Sequence, residues 1–264
     1  MSYDNAVRLD AYLSRLGLAP PLPPTVETLR RVHVAHLAEF PFDNLEIQRH
    51  GTVRTDLESV EQKFLSGTTG GYCFEQNTLL GGALAALGFD VSTILGRVGT
   101  PDRRTLNHLV LRIEIDGEAW LADVGFGGQG LLEPMPIFDG ATVVQDGLSY
   151  SMRRNGHYWM LSMHCAEESE ELYDFGDVPH TSADIEMANY YTATHPSSVF
   201  RRTLTIQRAL PGDRVILRTT MVTRFQNGVR TDTPIDPTQV RSYALELFGI
   251  DLGEAPLLFE SQQL

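Results

Sequence analysis

The hydrophobic spacing of this chain changes period once, at Gly88, and that change bounds what it can fold into. Before it, apolar residues recur every three or four positions. Ala6, Leu9, Tyr12, Leu13 and Leu16 run to Gly17; Val26, Leu29, Val32, Leu37 and Phe40 follow a Thr25 cap and stop at Pro41. Leu57, Val60, Phe64 and Leu65 mark a third helix, and Leu79, Leu80, Ala83, Leu84 and Leu87 a fourth that ends at Gly88. After Gly88 the pattern alternates. Phe89 and Val91 begin it, and Leu109, Leu111, Ile113 and Ile115 continue it, with His108, Val110, Arg112 and Glu114 on the other face. A period of 3.6 and a period of 2 cannot share one element, so residues 1–88 predict a helical bundle and the rest a strand-rich fold, α+β overall.

Turn signals divide the second part. Asp116-Gly117, Asn155-Gly156 and Asn227-Gly228 each predict a hairpin, with Glu118 to Val124 returning from the first and His157 to His164 from the second. Thr203 to Gln207 and Val215 to Phe225 read as strands. Ser182 opens a helix through Tyr191, Asp236-Pro237 opens a last helix through Phe248, and Glu167 to Glu171 reads as an acidic surface run.

A formal charge of −13 argues against a nucleic-acid or anionic-membrane partner, because phosphate recognition runs on excess Lys and Arg. No run approaches the roughly 18 apolar residues of a membrane span, and Met1-Ser2-Tyr3-Asp4 lacks the basic-then-apolar order of a signal peptide. The expectation is a cytoplasmic protein acting on small molecules, with Cys73 and Cys165 as free thiols and oligomeric state left open. His33 and His36 lie one helical turn apart but lack cysteine or carboxylate at ligand spacing, so no metal site is expected.

One cysteine is placed for chemistry. In Gly70-Gly71-Tyr72-Cys73-Phe74-Glu75-Gln76-Asn77 it follows a glycine pair and precedes a helical pattern, which puts it at a helix N-terminus. Unpaired amides and the macrodipole there favour a thiolate. A small buried hydrophobe would have the same local sequence; a histidine and an aspartate further along separate the two readings. If Asp116 and Gly117 form a two-residue loop, Ile115 pairs with Glu118, Val110 faces Asp123, and His108 and Asp123 become diagonal neighbours on one face. A thiol, an imidazole and a carboxylate in that relation are what nucleophilic acyl chemistry needs.

The chain resembles the arylamine N-acetyltransferases. The resemblance rests on Phe40-Pro41-Phe42-Asp43-Asn44-Leu45, the Gly70–Asn77 stretch, Asn107-His108-Leu109, Asp123-Val124-Gly125-Phe126-Gly127 and Thr194-His195-Pro196, in order across most of the chain. It implies three modules: a helical bundle over 1–88, a β-barrel-like domain over 89–195 and an α/β lid over 196–264. It implies Cys73 as nucleophile, His108 as base and Asp123 as its orienter, with acetyl-CoA as donor and an aromatic amine or hydrazine as acceptor. Phe42, Phe126 and Phe200 match acceptor-pocket positions. The Phe74 amide is a candidate oxyanion donor. Two further readings are local: Gly127 and Gly128 could bring bare backbone to a pyrophosphate, and Arg103, Arg104 and Thr105 form a loop that could meet phosphate. Thr69 stands where the family carries an arginine that pairs with an acidic residue, here Glu39, which leaves the anchoring of the cysteine loop open. An amide synthase or transglutaminase-like enzyme, with the same triad order and another acyl donor, and a non-enzymatic aromatic-ligand binder are the alternatives.

Overall fold

The first described elements follow the caps written into the sequence. A computed structural model describes residues 7–99, 105–165 and 168–262. Helices α1 (Leu9–Arg15) and α2 (Val26–Glu39) lead to a two-residue strand β1 (Phe42–Asp43) and helices α3 (Leu45–His50), α4 (Leu57–Ser66) and α5 (Cys73–Ala86). The Thr25 side chain accepts from the Thr28 amide and Asp56 from Ser59, closing the first turns of α2 and α4. Helix α5 is buried from Cys73 to Leu84 on every side, so it is the axis of the helical part rather than a surface helix with one apolar stripe. Gly82 is what lets α4 approach it: a Cβ there would come within 2.8 Å of the Leu57 side chain.

Strands β2 (Asp90–Arg97), β3 (His108–Ile115), β4 (Glu118–Ala122), β5 (Met135–Pro136), β6 (Thr142–Gln145), β7 (Leu148–Asn155), β8 (Tyr158–Cys165) and β9 (Glu168–Phe175) follow. They form an antiparallel barrel-like sheet in the order β5-β4-β3-β2-β9-β8-β7-β6. Its interior is filled by Ile94, Val110, Tyr150, Leu161, Tyr173 and Phe175. Helices α6 (Ser182–Thr194) and α7 (Val199–Arg202) then lead to β10 (Thr205–Leu210), β11 (Asp213–Arg218), β12 (Met221–Gln226) and β13 (Val229–Pro234), and to a 3-10 turn, Pro237–Gln239, that runs into α8 (Val240–Phe248). These four strands build a second sheet, β1-β10-β11-β12-β13, to which the N-terminal part contributes β1.

The β3–β4 hairpin has the expected register: Ile115 pairs with Glu118, and Asp116 and Gly117 take φ +53° and +81°. Positive φ at both central residues is the type I′ geometry that matches strand twist. Elsewhere the local reading needs correction. Helix α3 carries too few apolar residues, Leu45 and Ile47, to show a period. The second hairpin pairs Asn155 with Tyr158, so its turn residues are Gly156 and His157, one position later than expected. The acidic run opens strand β9, whose far half, Leu172 to Phe175, is buried. The Val215–Phe225 stretch is two strands joined at Thr219-Thr220. The first helix starts at Leu9; Ala6 lies outside the described residues.

One buried cation fastens the two sheets together. Arg214 on β11 is fully buried; its Nε lies 3.4 Å from Asp146 Oδ2, and its Nη1 donates to the Gly130 carbonyl at 2.7 Å and the Tyr150 hydroxyl at 2.8 Å. Removing one member of such a pair leaves a charge or several acceptors stranded in low dielectric. Arg214→Ala is therefore expected to lower unfolding free energy by about 3–5 kcal/mol. Arg54→Ala, which breaks the exposed pair with Asp56, is expected to change it by about 0–1 kcal/mol. Urea denaturation of both variants checks the contrast.

Candidate active site

The first residue of α5, the first residue of β3 and the residue after the end of β4 meet at one point. Cys73 occupies the first turn of α5, where amides have no intrahelical acceptor. His108 opens β3, and the last β3–β4 pair is Leu111 with Ala122, so Asp123 sits just where the ladder has ended. Glycine lets the chain beyond it cross the helix end: a Cβ on Gly125 would lie 2.6 Å from Cys73 Cα and 2.6 Å from Asn77 Nδ2. The His108 Nε2 lies 2.8 Å from Asp123 Oδ2, and the imidazole lies within electrostatic reach of Cys73. With Nε2 taken by the carboxylate, Nδ1 is the nitrogen left for the thiol. The Cys73 Sγ also lies 3.8 Å from the Asn107 carbonyl.

Asp123 is held by four donors. His108 Nε2 and the Tyr173 hydroxyl reach Oδ2, each at 2.8 Å, while Asn77 Nδ2 and the Gly125 amide reach Oδ1 at 2.9 and 2.8 Å. Burial by itself would raise this carboxyl, but the His108 charge and these bonds hold it below the usual carboxylate range. Burial would likewise lower His108; the Asp123 charge and bond, with a smaller contribution from Cys73, outweigh it and carry the imidazole from 6.5 to about 10. The pair is thus a buried imidazolium–carboxylate.

The two helix histidines are props, and the sequence alone hid this. His33 Nε2 accepts from the Asp123 amide at 3.2 Å, its Nδ1 faces the Leu132 carbonyl at 2.8 Å, and burial lowers it to about 4. His36 bonds the Tyr12 hydroxyl at 2.8 Å and Gln76 Oε1 at 2.7 Å, and burial lowers it to about 3. Both are neutral at ordinary pH. Gln76 passes the contact on, its Nε2 donating to the Pro41 and Gly71 carbonyls at 2.8 and 3.2 Å.

The cysteine loop is anchored without an arginine at position 69. The Gly70 amide donates to Asp43 Oδ2 at 2.8 Å, and Asp43 donates its own amide to the Gly71 carbonyl at 3.0 Å. A Cβ on Gly70 would lie 1.8 Å from the Pro41 carbonyl oxygen, so only glycine fits. Glu39 is paired by Arg15 of α1, whose Nη2 also donates to the Gly67 carbonyl at 3.0 Å. Glu75 accepts from the Tyr72 amide at 3.2 Å and from Lys63 Nζ at 2.7 Å; burial drives its carboxyl up, and against the Lys63 charge it settles at about 7.

Cys73 and His108 open into a cavity of about 360 Å³ that Phe42, Phe126 and Phe200 also line. Phe126 stands edge-on to His108 with ring centres 5.5 Å apart, and Phe200 lies 6.2 Å from Phe42. Of the expected phosphate contacts, the described ones, Gly127, Gly128 and Thr105, do not line it. The Gly128 amide is committed to Gln207 Oε1 at 2.8 Å, and a Cβ on Gly127 would lie 2.3 Å from that same oxygen, so these glycines serve packing against β10. Thr105 lines a separate pocket of about 210 Å³ with His180 and Tyr191, and Arg103 and Arg104 lie outside the described residues. Cys165 faces the Gly228 carbonyl at 3.1 Å, and both cysteines are free. Among the described residues no His, Cys, Asp or Glu group is arranged to hold a metal, and no helix is long and apolar enough to cross a membrane. Asn77, Tyr173 and Gln207 went unread. Only Asn77, four residues after Cys73 on one helical face, left a signal.

The comparisons with known proteins agree with this arrangement. A family model described as N-acetyltransferase matches residues 25–257. The arylamine N-acetyltransferase of Escherichia coli is 31% identical over 262 residues, covering 97% of this chain and 93% of that protein. That of Salmonella typhimurium, named also as an N-hydroxyarylamine O-acetyltransferase, is 33% identical over the same shares. Among solved structures, the arylamine N-acetyltransferase of Mycobacterium abscessus superposes with TM-score 0.88 at 33% identity, covering 95% of this chain and 92% of that one. The Mycobacterium marinum enzyme in complex with CoA superposes with TM-score 0.86 at 28% identity, covering 93% and 95%. In sequence and in fold, the chain belongs to the arylamine N-acetyltransferase family of acyltransferases.

Proposed function

We propose that this protein transfers an acetyl group from acetyl-CoA to an aromatic amine or hydrazine through a thioester on Cys73. The observation that carries the reading is that Cys73 and His108 line one phenylalanine-lined cavity, with His108 bonded behind to the buried Asp123. In the first half-reaction the Cys73 thiolate attacks the thioester carbonyl. The oxyanion lies near the unpaired amides that open α5, those of Cys73 and Phe74 among them. Collapse breaks the bond to the CoA sulfur, which leaves with the proton of the His108 imidazolium. In the second, a neutral arylamine nitrogen attacks the acetyl-enzyme, His108 takes its proton, and Cys73 departs as thiolate. General base help of this kind is worth roughly 10²–10⁴ in rate. Asp123 fixes the imidazole orientation and stabilises its charge, as carboxylates do in other triads. The relative solved with CoA supports the choice of donor, and the names of the relatives support the class of acceptor.

Incubation with acetyl-CoA alone, read by intact-protein mass, is expected to add one acetyl group on Cys73 and none in Cys73→Ala. Loading only from carrier-bound acyl chains would instead indicate an amide synthase, and no loading from any thioester a binding protein. A second expectation concerns the ion pair. Iodoacetamide is expected to label Cys73 well ahead of Cys165, and Asp123→Asn to slow that labelling at least about tenfold. Equal rates at the two cysteines would remove the case for an activated nucleophile.

The pair also ties stability to pH. A histidine raised from 6.5 to about 10 contributes fully below pH 6.5 and loses that contribution as pH rises towards 10. The depressed Asp123 contributes above its ordinary 3.8 and loses this as pH falls through its lower folded value. Between pH 6.5 and 10 the wild-type melting temperature is therefore expected to fall more steeply than that of His108→Gln. Parallel curves would contradict the assignment of charge.

A further inference from the structure

One cationic side chain lines the Cys73 cavity without a directly paired carboxylate among the described residues. Arg218 ends β11, paired across the sheet with Thr205, and is half-buried where it lines the cavity. Of the other arginines in the same sheet, Arg214 pairs with Asp146, Arg224 with Asp213 and Arg230 with Asp232, and Arg208 donates to the Phe248 carbonyl. The Arg218 side chain makes no hydrogen bond or ion pair among the described residues. The two carboxylates in electrostatic reach are committed elsewhere. Glu170 accepts from Gln129 Nε2 at 2.9 Å, and Asp232 accepts from the Thr223 hydroxyl at 2.6 Å and from Arg230 at 3.0 Å. Burial first, and the charge of Arg230 second, lower the proton affinity of Arg218, as expected of a cation short of counter-charge.

The cavity has both aromatic and polar lining: Phe42, Phe126 and Phe200 together with Thr205, Gln207, Glu170 and Arg218. An aromatic amine held there with its nitrogen at Cys73 shares the cavity with the Arg218 guanidinium. A volume of about 360 Å³ suits such a molecule but not the nucleotide end of CoA beside it. We propose that Arg218 recognises an anionic ring substituent, a carboxylate or sulfonate, on the aromatic acceptor, and so turns the site towards acidic arylamines. The guanidinium fork matches a carboxylate with two parallel N–H bonds, which an amide of the same shape cannot accept equally. This assignment rests on the acceptor reading of the cavity.

The test compares para-aminobenzoate with its neutral isostere para-aminobenzamide, first as ligands of the free protein by titration calorimetry. Wild type is expected to bind the acid about tenfold tighter, the size of a charged hydrogen bond. Arg218→Met is expected to bind both alike, and Arg218→Lys to keep part of the preference. In acetyl transfer Arg218→Met should lose about tenfold in kcat/KM for the acid, through KM, and should no longer favour the acid over the amide. Equal wild-type affinity for the two ligands overturns the proposal, as does an unchanged preference in Arg218→Met. So does a variant that needs more acetyl-CoA to half-load Cys73 with its acceptor preference intact, which would assign the cation to the donor's phosphates. Binding of the amide by Arg218→Met reports an intact cavity. Because the first measurement involves no acetyl group, a Cys73 that never loads would end the transfer reading and leave this one to stand or fall by itself.

Discussion

The buried pair of Asp123 and His108 is the interaction on which the rest of the structure is arranged. A carboxylate with almost no exposure is costly unless its acceptor sites are filled, and here they are filled from separate elements: α5 through Asn77, β3 through His108, β9 through Tyr173, and the backbone of the Gly125 turn. The same bonds that make the charge tolerable pin three strands and a helix against one another. Stability and reactivity are therefore not separate properties of this site. Emptying one donor position would loosen the imidazole and unbalance the fold together.

Close backbone approach is what lets those elements converge. Gly125 passes over the first turn of α5, and Gly70 lies against the Pro41 carbonyl, at distances that admit no side chain. The polar groups brought inside by this crowding satisfy one another in chains. Tyr12 leads to His36, His36 to Gln76, and Gln76 to the carbonyls that flank the cysteine loop. Such networks are stiff when complete, because each member would be left stranded by any rotation. The loop bearing the nucleophile is thus held from behind by neutral groups and from the front by a charged pair.

The C-terminal sheet reaches the site by a similar route. Strand β1 pairs with β10 on one side and bridges Gly71 on the other. Asn44 donates to the carbonyls of Phe200 and Thr203, both at 2.8 Å, and accepts from the Thr205 amide at 2.9 Å. Gln48 adds a bond to the Phe200 carbonyl at 2.6 Å. Two polar side chains from the N-terminal part therefore set where Phe200 enters the cavity.

The sequence by itself determined the local physics. The change of period at Gly88 announced helices and then strands, because side-chain direction follows backbone repeat. Asp116-Gly117 set the β3–β4 register, because only such residues accept positive φ at both turn positions; the ladder stops at Ala122, short of the expected Val110–Asp123 pairing, and Asp123 meets His108 just beyond it. Glycine before Cys73 and helical spacing after it placed the thiol at a helix end. Only the tertiary structure decided which polar residues come together from afar. His33 and His36 look like any amphipathic helix positions, Tyr173 sits beyond an acidic stretch, and Gly127 and Gly128 look free to meet a ligand until Gln207 and Ile216 are found against them. Arg15 reaches Glu39 and the end of α4 across a gap no spacing rule spans. The reason is range: periodicity and turn chemistry act over a few residues, whereas the partner of a buried polar group is chosen by packing between segments that lie from 24 to 90 residues apart in these cases.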